Sequence, residues 1–404
     1  MTSYISTVRS PRLIAYHLPQ FHPIPENNEW WGNGFTEWTN VRKSRPLYRG
    51  HHQPSVPLDD NYYNLTYARA REAQAALAKR FGIDGFCYYH YWFKGKKLLE
   101  RPCEAILESG EPDFPFCFSW ANETWTRRWD GGSHDVLIRQ EYGEEPDWKQ
   151  HFDYLLPYFR DPRYITHEGK PVFLVYIPGY FPEVTRWVGC WQKWARANGL
   201  PGIHFVKTLT AQDHQVGDAG FSGFASFEPW LTVWRRRGRR LDQHIGLRKK
   251  LLHARKSLRL CPHTTPFVFG YEEIWERMLH RRYVPGEYRG AFVAWDNSPR
   301  MGLNAKIVAG STPRKFGQFL GHQIAASVRE KTPFLFINAW NEWAEGAYLE
   351  PDQRHGYDYL EQVQAAIESG KSLSHRPLTR PGPLARVVQL GRRSWAEPES
   401  MYHG

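Results

Sequence analysis

The chain contains no run of about 18 apolar residues, the length a membrane-crossing helix needs, so no segment reads as a transmembrane span. Its first residues, Met1 to Pro11, lack the basic segment and apolar run of a secretory leader, and the expectation is a cytoplasmic protein. Cysteine is scarce: five residues, an odd number without a Cys-x-x-Cys pair, which argues against a disulfide framework and against the common zinc spacings. Cys87 and Cys117 fall inside apolar, strand-like runs, where a reduced buried thiol is the expected state. Neither a serine nucleophile elbow nor a phosphate-cradling glycine loop occurs, and no glycine-rich nucleotide fingerprint follows the first strand-like run.

Aromatic residues are abundant: 16% of the chain, with 18 Trp, 22 Tyr and 23 Phe. Rings serve as core filler or as flat platforms for ligands with apolar faces. Sugars are such ligands, since the axial C–H groups of a pyranose form an apolar patch flanked by hydroxyls. A net charge of +11 suits nucleic acid, an anionic membrane surface or an acidic glycan, and charge alone does not choose among them. At 404 residues, with 41% hydrophobic and 24% charged, the chain suits one large soluble domain with insertions.

Strand-like runs alternate with helical segments along the chain. Eight are read: Leu13–His17, Gly85–Trp92, Phe114–Trp120, Pro171–Ile177, His204–Leu209, Gly223–Glu228, Ala291–Asp296 and Phe334–Trp340. Most begin apolar and turn polar at the C-terminal end, as expected of a parallel strand buried on both faces whose end opens onto a working surface. Helices are expected over Asn64–Phe81 before Gly82, over Trp187–Ala197 before Asn198-Gly199, from Ser311-Thr312-Pro313 to about Val328, and over Tyr357–Ser369 before Gly370. Eightfold alternation predicts a (β/α)₈ TIM-type barrel with long βα loops, an open doubly wound sheet being the alternative. The barrel domain is assigned to residues 1–370, with an insertion over about 231–285 between the sixth and seventh strands. Residues 371–404, rich in Pro and Arg, read as an extended tail. The insertion holds Arg235-Arg236-Arg237-Gly238-Arg239-Arg240 and Arg248-Lys249-Lys250, a solvated helical face or a docking patch for membrane phosphates or an anionic glycan.

Chemistry concentrates in Phe334–Asp352, where an apolar strand runs into Asn341-Glu342-Trp343-Ala344-Glu345-Gly346. Two carboxylates three residues apart at a strand end, among tryptophans, are expected to be partly desolvated and close together, and both conditions raise a carboxyl pKa. Such a pair divides acid and base roles, as glycosidic cleavage requires. Other strand ends add rings beside hydroxyl-binding groups: Tyr16, His17 and Gln20 after the first; Tyr89, His90 and Trp92 at the second; Trp120, Asn122, Glu123 and Trp125 at the third; Trp295 and Asp296 at the seventh. In a closed barrel these ends meet at one mouth, and together with Asn341 they are the candidate substrate-binding residues. The loop after the first strand, carrying Trp31, Glu37 and Trp38, is expected to wall the site. Glu123, Asp130, Asp296 and His51-His52 match no recognised metal spacing, so no metal or other cofactor is expected. Asp59-Asp60 reads as a helix-start signal.

These motifs carry a resemblance. A-Y-H-L-P-Q-F-H-P-I-P-E-N-N-E-W-W-G-N-G-F-T-E-W-T-N-V, G-F-C-Y-Y-H-Y-W-F, W-A-N-E-T-W-T-R-R-W-D-G, A-W-D-N-S-P-R and F-I-N-A-W-N-E-W-A-E-G-A-Y-L-E-P-D resemble the WbsX-type family of bacterial surface-polysaccharide and lipopolysaccharide gene clusters, described as glycosyltransferase-like. That family is in turn similar to glycoside hydrolase family 99, the endo-α-mannosidases and endo-α-mannanases. The resemblance spans about Arg12 to Leu360. It implies a (β/α)₈ barrel, a metal-free retaining mechanism and an endo-acting enzyme on an α-linked glycan. It further implies that Glu342 deprotonates the sugar's own 2-hydroxyl to give a 1,2-anhydro intermediate, while Glu345 acts as acid and then base. The segment around Glu228 departs from the expected pattern, and no contact is assigned to it. Three readings follow: a retaining hydrolase or transglycosylase on a bacterial polysaccharide; a glycosyltransferase of O-antigen, lipopolysaccharide or capsule synthesis, with Arg235–Lys250 holding a diphosphate; and a non-catalytic glycan-binding protein. None involves nucleic acid, and peripheral contact with the inner membrane through the basic run is compatible with all three.

Overall fold

The structure, a computed structural model, describes residues 10–127, 135–213, 220–235 and 266–374. Eight parallel strands form a closed ring: β1 (Arg12–His17), β2 (Gly85–Phe93), β3 (Phe116–Trp120), β4 (Lys170–Val175), β5 (His204–Leu209), β6 (Gly223–Ser226), β7 (Glu287–Phe292) and β8 (Phe334–Asn338). Closure is direct, because β1 pairs with β2 (Ile14 opposite Gly85) and with β8 (Arg12 opposite Phe334). The (β/α)₈ barrel expected from the alternation is therefore the observed fold. A ring has no edge strand, so every ladder group is satisfied within the sheet.

Period-two alternation then sorts the side chains. Tyr16 points into the barrel against Tyr89, Phe227 and Phe336. Its neighbour His17 points outward, where Nε2 bonds Gln74 of the helix Ala68–Arg80 at 3.1 Å. On β2, Tyr91 faces inward against Trp125, whereas His90 and Trp92 lie against His151 of the helix Glu145–Phe159. Strands covered on both faces by rings are apolar throughout, which is why no alternation is visible in G-F-C-Y-Y-H-Y-W-F.

Several boundaries differ from expectation, and in two elements packing gives the reason. The seventh strand starts four residues early, at Glu287, because its charged residues are buried and paired: Glu287 with Arg281 and Ser226, and Arg289 with Glu330 (Nε to Oε2, 2.8 Å) and Gln323. Charged residues carry no apolar strand signal, so the sequence shows the strand only from Ala291 onward. Trp295–Asp296 consequently leaves the barrel and pairs instead with Lys306–Ala309 in a small three-stranded sheet. The last helix runs Asp358–Ser374, through Gly370. A β-carbon at 370 would lie 2.6 Å from Cγ2 of Ile324 on the helix Pro313–Glu330, so this glycine permits close helix packing instead of ending the helix. The basic run from Arg236 to Lys250, Asp130 and the tail beyond Ser374 lie outside the described residues. No helix among the described residues is long and apolar enough to cross a membrane.

Candidate active site

The chain after β8 makes a small hairpin, Asn341–Glu342 pairing antiparallel with Ala347–Tyr348 around the tight turn Trp343–Glu345. Gly346 closes it at φ 62°, a left-handed conformation that costs glycine little. The turn places both Glu342 and Glu345 on the wall of a cavity of about 870 Å³ at the barrel mouth. Its underside is locked by Glu350, whose buried carboxylate accepts from Trp343 (2.6 Å), Gln74 (2.7 Å), Tyr63 (2.8 Å) and Trp340 (3.1 Å). Burial nevertheless pushes the Glu350 carboxyl up to about 7.

Arg300, on the short helix Ser298–Met301, reaches across to the hairpin. Its Nε donates to Glu37 at 2.9 Å, one terminal nitrogen to Glu345 at 2.7 Å and the other to Glu342 at 3.2 Å. All four side chains are largely removed from solvent, with exposures of 9, 2, 19 and 7% for Arg300, Glu37, Glu345 and Glu342. Desolvation, and then the neighbouring Glu345, push Glu342 up to about 8 against the pull of Arg300. Desolvation also raises Glu345, opposed by Arg300. Glu123 rises to about 7 through burial and the facing Glu345.

Of the residues proposed from sequence, Gln20, Trp31, Glu37, Tyr89, Glu123, Trp125 and Trp295 line this cavity with the two glutamates. The others do not. Tyr16 lies in the barrel interior beside Tyr89. His17, His90 and Trp92 face the outer helices, and Trp120 packs on Trp187. The polar candidates act as clamps: Asn341 bonds both backbone groups of Leu18, and Asn122 bonds both of Ile177. Trp38 donates to the Tyr63 carbonyl. Asp296 accepts from Gln53 (2.6 Å), His51 (2.7 Å) and the Ser298 backbone (3.0 Å). His51 Nδ1 accepts from the Leu47 backbone, so its Nε2 carries the proton given to Asp296. Apart from Tyr16 in the barrel interior and Trp38 on the helix Glu37–Lys43, these candidates sit at strand ends but on the outward or framework side.

Sequence reasoning missed Arg300, Tyr91, Tyr176, Trp230 and Lys306, all of which line the cavity. Arg300 closes the quoted segment A-W-D-N-S-P-R, and an arginine one turn past a strand end was the available signal. Glu228 lies outside the cavity, fully buried, accepting from the Thr232 hydroxyl and backbone. No group of three or more His, Cys, Asp or Glu that could hold a metal ion occurs among the described residues.

The site is thus a ring-lined, carboxylate-bearing cavity at the mouth of a (β/α)₈ barrel, a fold shared with solved glycoside hydrolases. A family model described as Glycosyltransferase WbsX matches residues 13–363, and the chain belongs to that family. The protein WxcX of Xanthomonas campestris pv. campestris (strain B100) is 37% identical over 359 residues, covering 88% of this chain and 49% of WxcX. The chain thus spans about half the length of the curated relatives it matches. Among solved structures, a GH99 endo-alpha-mannosidase from Bacteroides thetaiotaomicron in complex with BIS-TRIS-propane superposes with TM-score 0.52 at 11% identity, covering 90% of this chain and 98% of that one. A glycoside hydrolase-like protein also gives 0.52 at 11% identity, covering 91% and 96%. At such identities the likeness is one of fold.

Proposed function

We propose that the chain is a retaining, endo-acting glycoside hydrolase or transglycosylase on an α-linked bacterial surface polysaccharide, working through a 1,2-anhydro sugar. The observation that carries this reading is the convergence of Glu342 and Glu345 on Arg300 in a cavity walled by Trp31, Trp125 and Trp295. Glu342 takes the proton of the 2-hydroxyl, and that oxygen attacks the anomeric carbon as Glu345 protonates the departing glycosidic oxygen. Glu345 then deprotonates water or an acceptor hydroxyl, which opens the three-membered ring at the anomeric carbon while Glu342 returns its proton to the 2-oxygen. Neither carboxylate bonds to carbon.

Without ligand, the guanidinium lies closer to Glu345 than to Glu342, which favours ionised Glu345 and protonated Glu342, the reverse of the working state. A bound sugar supplies the correction. A hydroxyl donating to Glu342 favours its carboxylate, and an ether oxygen beside Glu345 favours its acid form. The test is turnover of purified protein on a panel of α-linked glycans, with anomeric configuration followed by NMR. Full activity in Glu345→Gln, or an inverted first product, would remove the mechanism.

The family description favours a second reading, transfer from an activated sugar in polysaccharide synthesis. The cavity cation Lys306, stacked 5.1 Å from the Trp230 ring and 5.2 Å from that of Trp234, offers a place for a donor's phosphate. Calorimetric titration with nucleotide sugars separates the two, because the hydrolase reading requires no such binding.

A further inference from the structure

One guanidinium faces three largely buried carboxyl groups, from two separate elements of the fold: Glu37 on the helix Glu37–Lys43, and Glu342 and Glu345 on the hairpin after β8. In a medium that screens poorly, one positive charge does not fully stabilise three negative ones, which favours a proton shared between the hairpin carboxyls. We infer that Arg300 is a positioning residue that orients both hairpin glutamates and shares out their protons, and that Glu37 is its counterweight, drawing on the same positive charge. The inference rests on the reading that Glu342 and Glu345 do the chemistry.

Geometry gives Arg300 this position. Its fork spends all three nitrogens on separate acids, an arrangement a lysine point charge cannot reproduce. Glu37 raises both hairpin carboxyls through its charge, and Arg300 lowers both. Other groups facing the pair act on it too. Glu123, after β3, faces Glu345, and the charge of Lys306 lowers Glu345. The phenols Tyr89, Tyr91 and Tyr176 face the pair and remain neutral, their hydroxyls held far above the ordinary range by burial and then by neighbouring glutamates.

Opposite-signed shifts test the inference, since a merely structural role does not produce them. Full-length protein carrying ¹³C at the glutamate side-chain carboxyl carbon is titrated by NMR, with Glu342→Gln and Glu345→Gln spectra identifying the two signals. Arg300→Met raises both midpoints by about one pH unit or more, and Glu37→Gln lowers them by about half to one unit. Arg300→Lys keeps the charge but loses the fork, giving a smaller rise. The acidic limb of the kcat/KM profile on a turned-over glycan follows the midpoints, downward in Glu37→Gln and upward in Arg300→Lys. Unmoved midpoints in Glu37→Gln, or an upward move there, overturn the inference even where Arg300→Met fails to fold. The titration needs no substrate. Shifted midpoints in a protein that cleaves no glycan would therefore sink the hydrolytic reading and leave standing only the charge coupling of Arg300 and Glu37 to the hairpin carboxyls.

Discussion

The indole nitrogen of Trp343 donates to the Glu350 carboxylate at 2.6 Å, joining the residue between the two candidate catalytic glutamates to an acid seven positions away. That carboxylate accepts four side-chain donors in all, two of them indoles flanking Glu342. Glu350→Gln presents an amide N–H to donors that need an acceptor. The expected cost is about 2–3 kcal/mol of stability, read as a lowered denaturant midpoint, with a fall in kcat larger than any change in KM.

Gly346 is the hinge of the same hairpin. A β-carbon there would lie 2.8 Å from the Asp296 backbone nitrogen, in a conformation that side chains rarely adopt. Gly346→Ala is expected to lose about 1–3 kcal/mol and to lower kcat at least tenfold by displacing Glu345. Wild-type kinetics in this variant would show that the turn tolerates displacement.

The pH dependence of stability has a definite sign. Folding raises Glu342 to about 8, and Glu123 and Glu350 to about 7, above their values in the unfolded chain. The native state therefore binds more protons than the unfolded state, and these groups make stability fall as pH rises from about 4.5 to about 8. Glu342→Gln removes the largest of the three resolved shifts. Its denaturant midpoint should exceed that of the wild type at pH 8.5, and the difference should shrink toward pH 4.5. A gap that widened toward low pH would contradict the burial of an unionised acid.

His90 and Tyr89 are neighbours with opposite duties. His90 Nε2 bonds Nε2 of His151 at 2.8 Å outside the barrel, and burial drops its pKa to about 3. Tyr89 lines the cavity. His90→Phe should lower the melting temperature and leave KM for the glycan within twofold, whereas Tyr89→Phe should raise KM with little change in melting. A KM effect in His90→Phe would mean that its placement outside the cavity is not what matters.

Much of this architecture was legible along the chain, down to the hydroxyl cap of the helix Pro313–Glu330, where Thr312 accepts from the Lys315 backbone. The misreadings have two causes. The seventh strand reads as starting late, at Ala291, because Glu287 and Arg289 carry no apolar signal and their partners, Arg281 and Glu330, are visible only once the chain folds. His17 and His90 looked like site residues because a strand buried on both sides carries no polarity signal to tell inner from outer.

By itself the sequence determined the alternating strands and helices, the family, and the two glutamates on the last strand's exit. Those depend on local pattern, apolar runs, caps and turn formers, which neighbouring residues suffice to express. Only the tertiary structure decided which member of each strand-end pair faces the cavity, and that Arg300 joins Glu37 to a hairpin more than 300 residues away. Ring closure sets strand register and thereby side-chain direction, and a guanidinium finds distant carboxylates only after the barrel has brought their loops to one mouth.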